Sequence, residues 1–197
     1  MTSREVFEKF VPPEAVSYCN KLYERLEFEF KVKKARQTKL GDYRFDPYSE
    51  KHTITINNDL NAYSFLVTYL HEVAHLIAFK RFGNRVQPHG REWKQSFREV
   101  AEPMLSDKVF DPRVLNALKR YFNNPKASSC SDPVLYNLLK QFDGKDVPQL
   151  KDIAIGEVFI FNKRTFRKLE KKRTRSICLE LKTNRKYTIA EIAEVSI

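Results

Sequence analysis

An α+β fold is what this 197-residue chain predicts, and three patterns predict it. Apolar residues recur at helical spacing near the N-terminus, then alternate with polar ones between about residues 28 and 57. One long segment after that is apolar on nearly every side, and from residue 150 onward alternation returns. A hydrophobic fraction of 42% with 15 Phe, 9 Tyr and 1 Trp supports a folded core and excludes an intrinsically disordered chain. The length suits one substantial domain with a small second module, which we place at residues 1–148 and 149–197.

Pro12-Pro13 is expected to open the first helix, because proline at the first helical position lacks an N–H that would be unbonded there anyway. Val16, Cys19, Leu22, Tyr23 and Leu26 form its apolar stripe. From Phe28 the period becomes two: Phe28, Phe30 and Val32 alternate with charged residues. Leu40–Phe45 reads as a turn entering a second strand, and His52–Asn57 (HTITIN) makes a third, in which His52 reads as exposed. With turn chemistry at Asp46-Pro47-Tyr48-Ser49, the three strands are expected as a small antiparallel meander. A helix from about Ala62 to Phe82 follows, apolar nearly all round and therefore expected at the centre of its domain.

Gly83 ends that helix, and the loop 84–88 leads to His89-Gly90 at the start of another, with Trp93, Phe97, Val100 and Met104 on one face. Asp111-Pro112 and Asp132-Pro133 each read as an N-cap followed by proline. They open two short helices, with a loop from Asn123 to Ser131 between them. After Phe142-Asp143-Gly144 come short strands at Val158–Phe161, Ser176–Leu181 and Lys186–Ile189. Between the first two we expect a basic hairpin tip, residues 163–175. It holds Lys163, Arg164, Arg167, Lys168, Lys171, Lys172, Arg173 and Arg175 against a single acid, Glu170.

The net charge is +11, and residues 151–197 supply more than half of it, with 12 Lys/Arg against 6 Asp/Glu. Such charge implies a polyanion, since neutralising phosphates releases counterions. The eight cations of residues 163–175, interleaved with Phe161, Phe166 and Tyr187, are accordingly the candidate DNA contacts. A solvated, solubilising surface is the other reading of the same charge. No apolar run approaches the eighteen or so residues of a membrane span, and Met1–Glu5 lacks a signal-peptide core. A cytoplasmic location with no membrane partner is therefore expected. Cys19, Cys130 and Cys178 show no CxxC spacing, which fits reduced thiols and excludes a disulfide framework or a cysteine zinc ribbon.

The chemistry lies in His71-Glu72-Val73-Ala74-His75 and Pro88-His89-Gly90, which hold three of the four histidines. On a helix, positions i and i+4 share a face, so His71 and His75 can reach one Zn2+ ion. Glu72 sits beside that face and is the candidate catalytic base. A third imidazole from His89 would leave the fourth tetrahedral position open for water, whose pKa zinc lowers to roughly 7. Glu92 and Glu99 are alternative third ligands. Tyr69, Arg81 and Arg85 lie near in sequence as candidates to stabilise a carbonyl oxygen. Metzincins need glycine and histidine three and six residues after the second ligand, and Ala78 and Arg81 stand there instead.

HEVAH followed by His89-Gly90-Arg91-Glu92-Trp93 resembles the SprT-like domain, with its HExxH, HG and acidic-aromatic pair. Lys39-Leu40-Gly41-Asp42-Tyr43 and the HTITIN strand also resemble that family's region upstream of the zinc helix, so the likeness covers roughly residues 10–105. The resemblance implies a zincin-like minimal metalloprotease domain followed by a small basic β-rich module. It makes His71, His75 and His89 the zinc ligands and Glu72 the base, acting on a protein substrate. Relatives of the Spartan type cleave proteins crosslinked to DNA. Many members end in a zinc ribbon built from cysteine pairs; here only Cys178 occupies that region. The expectation is thus a zinc metallopeptidase acting on proteins near DNA. The competing readings are a nucleic-acid-binding protein with a structural or vestigial zinc site, and a zinc hydrolase of non-peptide bonds.

Overall fold

The computed structural model describes residues 2–123, 125, 132–144 and 148–196; Cys130 and Ser131, with most of the loop expected before them, lie outside these. The architecture is α+β, with six α-helices and two sheets among the described residues. Two compact units, Met1–Asp143 and Gly144–Ile197, each enclose a core of their own. None of the described helices is long and apolar enough to cross a membrane.

The first unit opens with a helix that the proline reading misses. α1 (Ser3–Phe10) starts before Pro12, on a capping box in which Thr2 Oγ1 accepts from the Glu5 N–H at 3.3 Å and Glu5 accepts from the Thr2 N–H at 2.8 Å. Pro13–Ala15 then forms only a short 3-10 turn, ahead of α2 (Val16–Leu26). Lys80, on the last turn of the central helix, donates to the Leu26 carbonyl at 2.6 Å and caps α2 from outside.

Three strands follow, β1 (Glu29–Lys33), β2 (Gly41–Asp46) and β3 (Lys51–Asn57), but not as a meander. The order is β1-β3-β2, with β1 parallel to β3 and β2 antiparallel to it, so the sheet is mixed rather than antiparallel. β3 takes the centre because Ile54 and Ile56 are its fully buried residues, and the central position pairs both of its backbone edges. The β1–β2 connection must therefore pass across its end. There the buried Asn57 amide donates to the carbonyls of Arg36 and Lys39 at 3.2 and 2.9 Å, while its oxygen accepts from Arg36 Nε at 2.8 Å. That one side chain fixes the course of the chain into β2.

α3 (Ala62–Phe82) is central, as its composition predicts. Asn61 caps its start by accepting from the Ser64 N–H at 2.9 Å, and Gly83 ends it at φ 79°. α4 (Arg91–Ala101) packs against it through the fully buried Trp93 and Phe97. α5 (Pro112–Asn123) and α6 (Pro133–Lys140) complete the unit; the Asp132 carboxylate caps α6 as expected, accepting from Val134 and Leu135 at 3.1 and 3.0 Å.

The second unit is an antiparallel sheet in the order β4-β5-β6-β7, made of Val158–Phe161, Arg164–Lys171, Arg175–Glu180 and Lys186–Ala190. Residues 163–175 are therefore not a hairpin tip: most of them form β5, an inner strand of the sheet. Alternation along β5 turns Phe166 and Lys168 inward, both buried at 2% exposure, so Lys168 cannot serve as a surface contact. Its ammonium donates to the carbonyls of Leu150 and Ile153 at 2.7 and 3.0 Å and pairs with Glu191 at 3.2 Å. Burial alone would raise the Glu191 carboxyl, but the Ser176 hydroxyl and the Lys168 ammonium outweigh it and hold that group below its ordinary range. Replacing one member of such a pair strands the other. We expect Lys168→Met to lower the stability of this unit by about 3–5 kcal/mol, and Lys168→Met/Glu191→Leu to recover most of that. Amide hydrogen exchange of β5 and β6 in the intact chain measures both.

Candidate metal centre

α3 carries His71 and His75 one turn apart, and the loop after it returns to place His89 opposite them. The three Nε2 atoms form a near-equilateral triangle: 3.2 Å from His71 to His75, 3.0 Å from His75 to His89 and 3.2 Å from His89 to His71. Among the described residues this is the cluster of His, Cys, Asp and Glu side chains able to hold a metal ion. Burial and the neighbouring imidazoles push His71 well below its ordinary pKa, and the same two causes take His75 to about 3. Burial also lowers His89. Three neutral imidazoles turned toward one point present lone pairs to one another, an arrangement that a cation relieves. Tetrahedral zinc with Zn–N bonds of about 2.0–2.1 Å needs nitrogens roughly 3.3 Å apart, and this triangle fits that requirement closely.

Backbone chemistry explains the His-Gly pair. His89 adopts φ 60°, a left-handed conformation uncommon for a residue with a side chain. Gly90 follows, its N–H bonded to the Gln87 carbonyl at 2.9 Å, and a Cβ added at Gly90 would lie 2.9 Å from that same oxygen. Only glycine allows the turn to close so tightly before α4 begins. Trp93 then walls the site from below. Its ring centroid lies 4.7 Å from those of His71 and His89 and 5.3 Å from that of His75, and its indole N–H reaches toward the His71 carbonyl at 3.4 Å.

Glu72 is buried at 7% exposure on the β2 side of α3. Burial, followed by the Asp42 carboxylate, raises its pKa to about 8 against the opposing pull of the Tyr43 main-chain N–H and the charges of Arg36 and Lys39. Burial thus favours the neutral carboxyl, and a cation held by the neighbouring imidazoles would favour its ionised, proton-accepting form. The room for it is made by a missing atom. A Cβ on Gly41 would fall 2.5 Å from Glu72 Oε1 and 2.7 Å from Thr68 Cγ2, closer than real Cβ contacts allow. Sequence reasoning took Gly41 for part of a turn; a glycine inside a strand is the signal that would have marked a close approach.

Other expectations change here. Glu99 engages Arg81 and Gln95, and neither it nor Glu92 belongs to the histidine cluster. Tyr69 is fully buried and donates its hydroxyl to the Cys19 carbonyl at 2.9 Å, so it does not face the site. Arg81 is the partner of Glu99, and Arg85 is an exposed loop residue outside the cleft lining. His52 is half-buried rather than exposed: its Nδ1 shares a hydrogen bond of 2.9 Å with the Tyr43 hydroxyl, and Phe45 and Phe79 flank its ring. Tyr43 itself lies parallel to the His75 ring, with centroids 6.3 Å apart. A cleft of about 450 Å³ opens on all of this, lined by β2, α3 and the 83–89 loop.

In the second unit, the eight expected nucleic-acid cations separate. Lys168 is buried, Arg164 pairs with Glu180 and stacks 4.5 Å over Tyr187, and Lys172 pairs with Glu170. Lys171 lies 3.5 Å from Glu191. Lys163, Arg167, Arg173 and Arg175 are exposed. Phe166 is buried and Phe161 and Tyr187 partly so, which leaves them as packing residues rather than a surface interleaved with charge.

The sequence matches the SprT-like family over residues 4–116. It is 36% identical over 94 residues to Protein SprT of Pseudomonas savastanoi pv. phaseolicola, covering 45% of this chain and 52% of that protein. Against Protein SprT of Pseudomonas fluorescens it is 60% identical over 63 residues, covering 32% and 38%. The chain thus spans about half or less of the length of these curated relatives. No solved structure matches it.

Metal should stabilise the first unit by mass action. At a zinc concentration one hundred times Kd the gain is about 2.7 kcal/mol, read as a rise in the thermal midpoint, and His89→Ala should abolish that rise.

Proposed function

Because the chain belongs to the SprT-like family, we propose that it is a zinc-dependent metallopeptidase with a zincin-like catalytic domain. The convergence of three imidazole nitrogens beside the buried carboxyl group of Glu72 carries the reading. His71, His75 and His89 would hold the ion. Imidazole donors suit zinc, and three of them leave a coordination position free. Zinc bound there supplies Lewis acidity toward a scissile carbonyl and lowers the pKa of an attacking water to roughly 7.

The chain's own residues do the remaining work. Glu72 accepts the proton from the attacking water and passes it to the departing amine. The Tyr43 main-chain N–H orients the Glu72 carboxylate, and Gly41 leaves it space. Trp93 keeps bulk water from the inner side of the imidazoles. A peptide is favoured over other acyl substrates because β2 is an edge strand whose Gly41–Tyr43 segment lines the cleft, so an extended backbone can lie along it.

We extend the proposal to protein substrates held near DNA, with Lys163, Arg167, Arg173 and Arg175 as the phosphate contacts. If these four make the contacts, affinity for single-stranded DNA falls with salt at a logarithmic slope of about −3, since each phosphate contributes about −0.7. Absence of binding at low salt removes this extension and leaves the peptidase reading intact. For the chemistry itself, Glu72→Gln should retain zinc yet lose about 10²–10⁴-fold in peptide hydrolysis. Full activity in that zinc-loaded variant would falsify the mechanism.

A further inference from the structure

The geometry points to a selective subsite within the cleft: a pocket floored by Ala78 that takes an apolar side chain of the peptide beside the bond to be cut. This inference rests on the peptidase reading and names its substrate class.

The cleft does not stop at the histidines. Positions three and four beyond His75 share its helix face, and there the chain has Ala78 and Phe79, both in the cleft lining. Ala78 is 1% exposed, so its methyl group closes the floor with a small, carbon-only surface. Phe79 forms one wall and is held in place by Phe45 at 4.5 Å and His52 at 5.5 Å between ring centroids. Tyr43 adds its ring to the lining, and its hydroxyl is already engaged by His52, leaving carbon to face a ligand. Val86 and Pro88, on the loop that brings back His89, add further carbon to the lining.

The charged lining residues stand elsewhere. Lys39 and Asp42 pair with each other at 2.7 Å beside Glu72, which lies seven positions before Phe79, about 10 Å along the helix. An occupant beside Ala78 and Val86 has the carbon of Phe79, Tyr43 and Pro88 in its lining, with the uncharged amides of Asn84 and Gln87 from the same loop. A charged side chain there would lose water and gain no opposite charge, whereas an apolar one gains from burial. A small floor residue admits an occupant of leucine size; a larger residue at 78 would fill the same space.

The test separates this inference from catalysis. Zinc-loaded Glu72→Gln protein is titrated with fluorescein-labelled Ala-Ala-Gly-Xaa-Ala-Ala peptides, Xaa being Leu, Ala, Asp or Lys, and binding is read by anisotropy. We expect the Leu peptide to bind at least about tenfold more tightly than the Ala peptide, with Asp and Lys weakest. Ala78→Leu, added to the same background, should erase the Leu advantage. Since Ala78 is buried, Val86→Glu at the rim provides a second arm that leaves the floor intact, and it should move preference toward Lys. Equal affinities for the four peptides, or an unchanged ranking in Val86→Glu, would overturn the subsite. Wild-type cleavage of the same peptides is scored separately. Selective binding without cleavage overturns the peptidase reading alone, and cleavage without selectivity overturns the subsite alone.

Discussion

Three imidazole nitrogens held about 3 Å apart, each pushed toward its neutral form, are the constraint around which the first unit is arranged. The helix that carries two of them is otherwise among the most apolar parts of the chain, and placing it centrally forces its polar residues to find partners indoors. Trp93 and Phe97 from α4 close one side of that site, and β2 closes another. The loop between α3 and α4 completes it by accepting a left-handed histidine. Each neighbouring element thus answers a demand set by three partly buried imidazoles.

The sheet matters to the site through one edge. Because β3 occupies the middle, β2 is left with a free side, and it is this side that approaches α3. Asn57 secures the approach from a distance: its amide joins the end of the central strand to the segment that becomes β2, so the strand cannot drift relative to the helix without breaking three partly buried hydrogen bonds. A residue with no contact to the histidines therefore governs the spacing between Glu72 and its surroundings.

What the sequence disclosed follows from how far each signal reaches. The limits of α3 and the pairing of His71 with His75 are local facts of helical period, and both were legible. His89 was legible because its glycine neighbour and spacing left few alternatives. The order of the sheet was not, since alternation identifies strands but says nothing about which edges meet; burial of Ile54 and Ile56 decided that through tertiary packing. α1 escaped notice although Thr2 and Glu5 spelled its capping box, because Pro12-Pro13 offered a louder start signal. In the second unit the cations of residues 163–175 drew the eye as a charge run. The two-residue spacing of Phe166 and Lys168 already put the lysine on the inward face, and its burial in a cage of carbonyls is a long-range result.

The hold on Glu72 has a bearing on how this protein tolerates change over generations. Its carboxylate is braced by a peptide N–H and by the bare Cα of Gly41. Peptide groups are identical at every position, so the N–H of residue 43 persists whatever side chain it carries, whereas Asp42 acts on Glu72 through its own charge. Proline at 43 and any side chain at 41 break the brace. Sensitivity of the Glu72 surroundings to backbone change is thereby concentrated at very few positions of the strand.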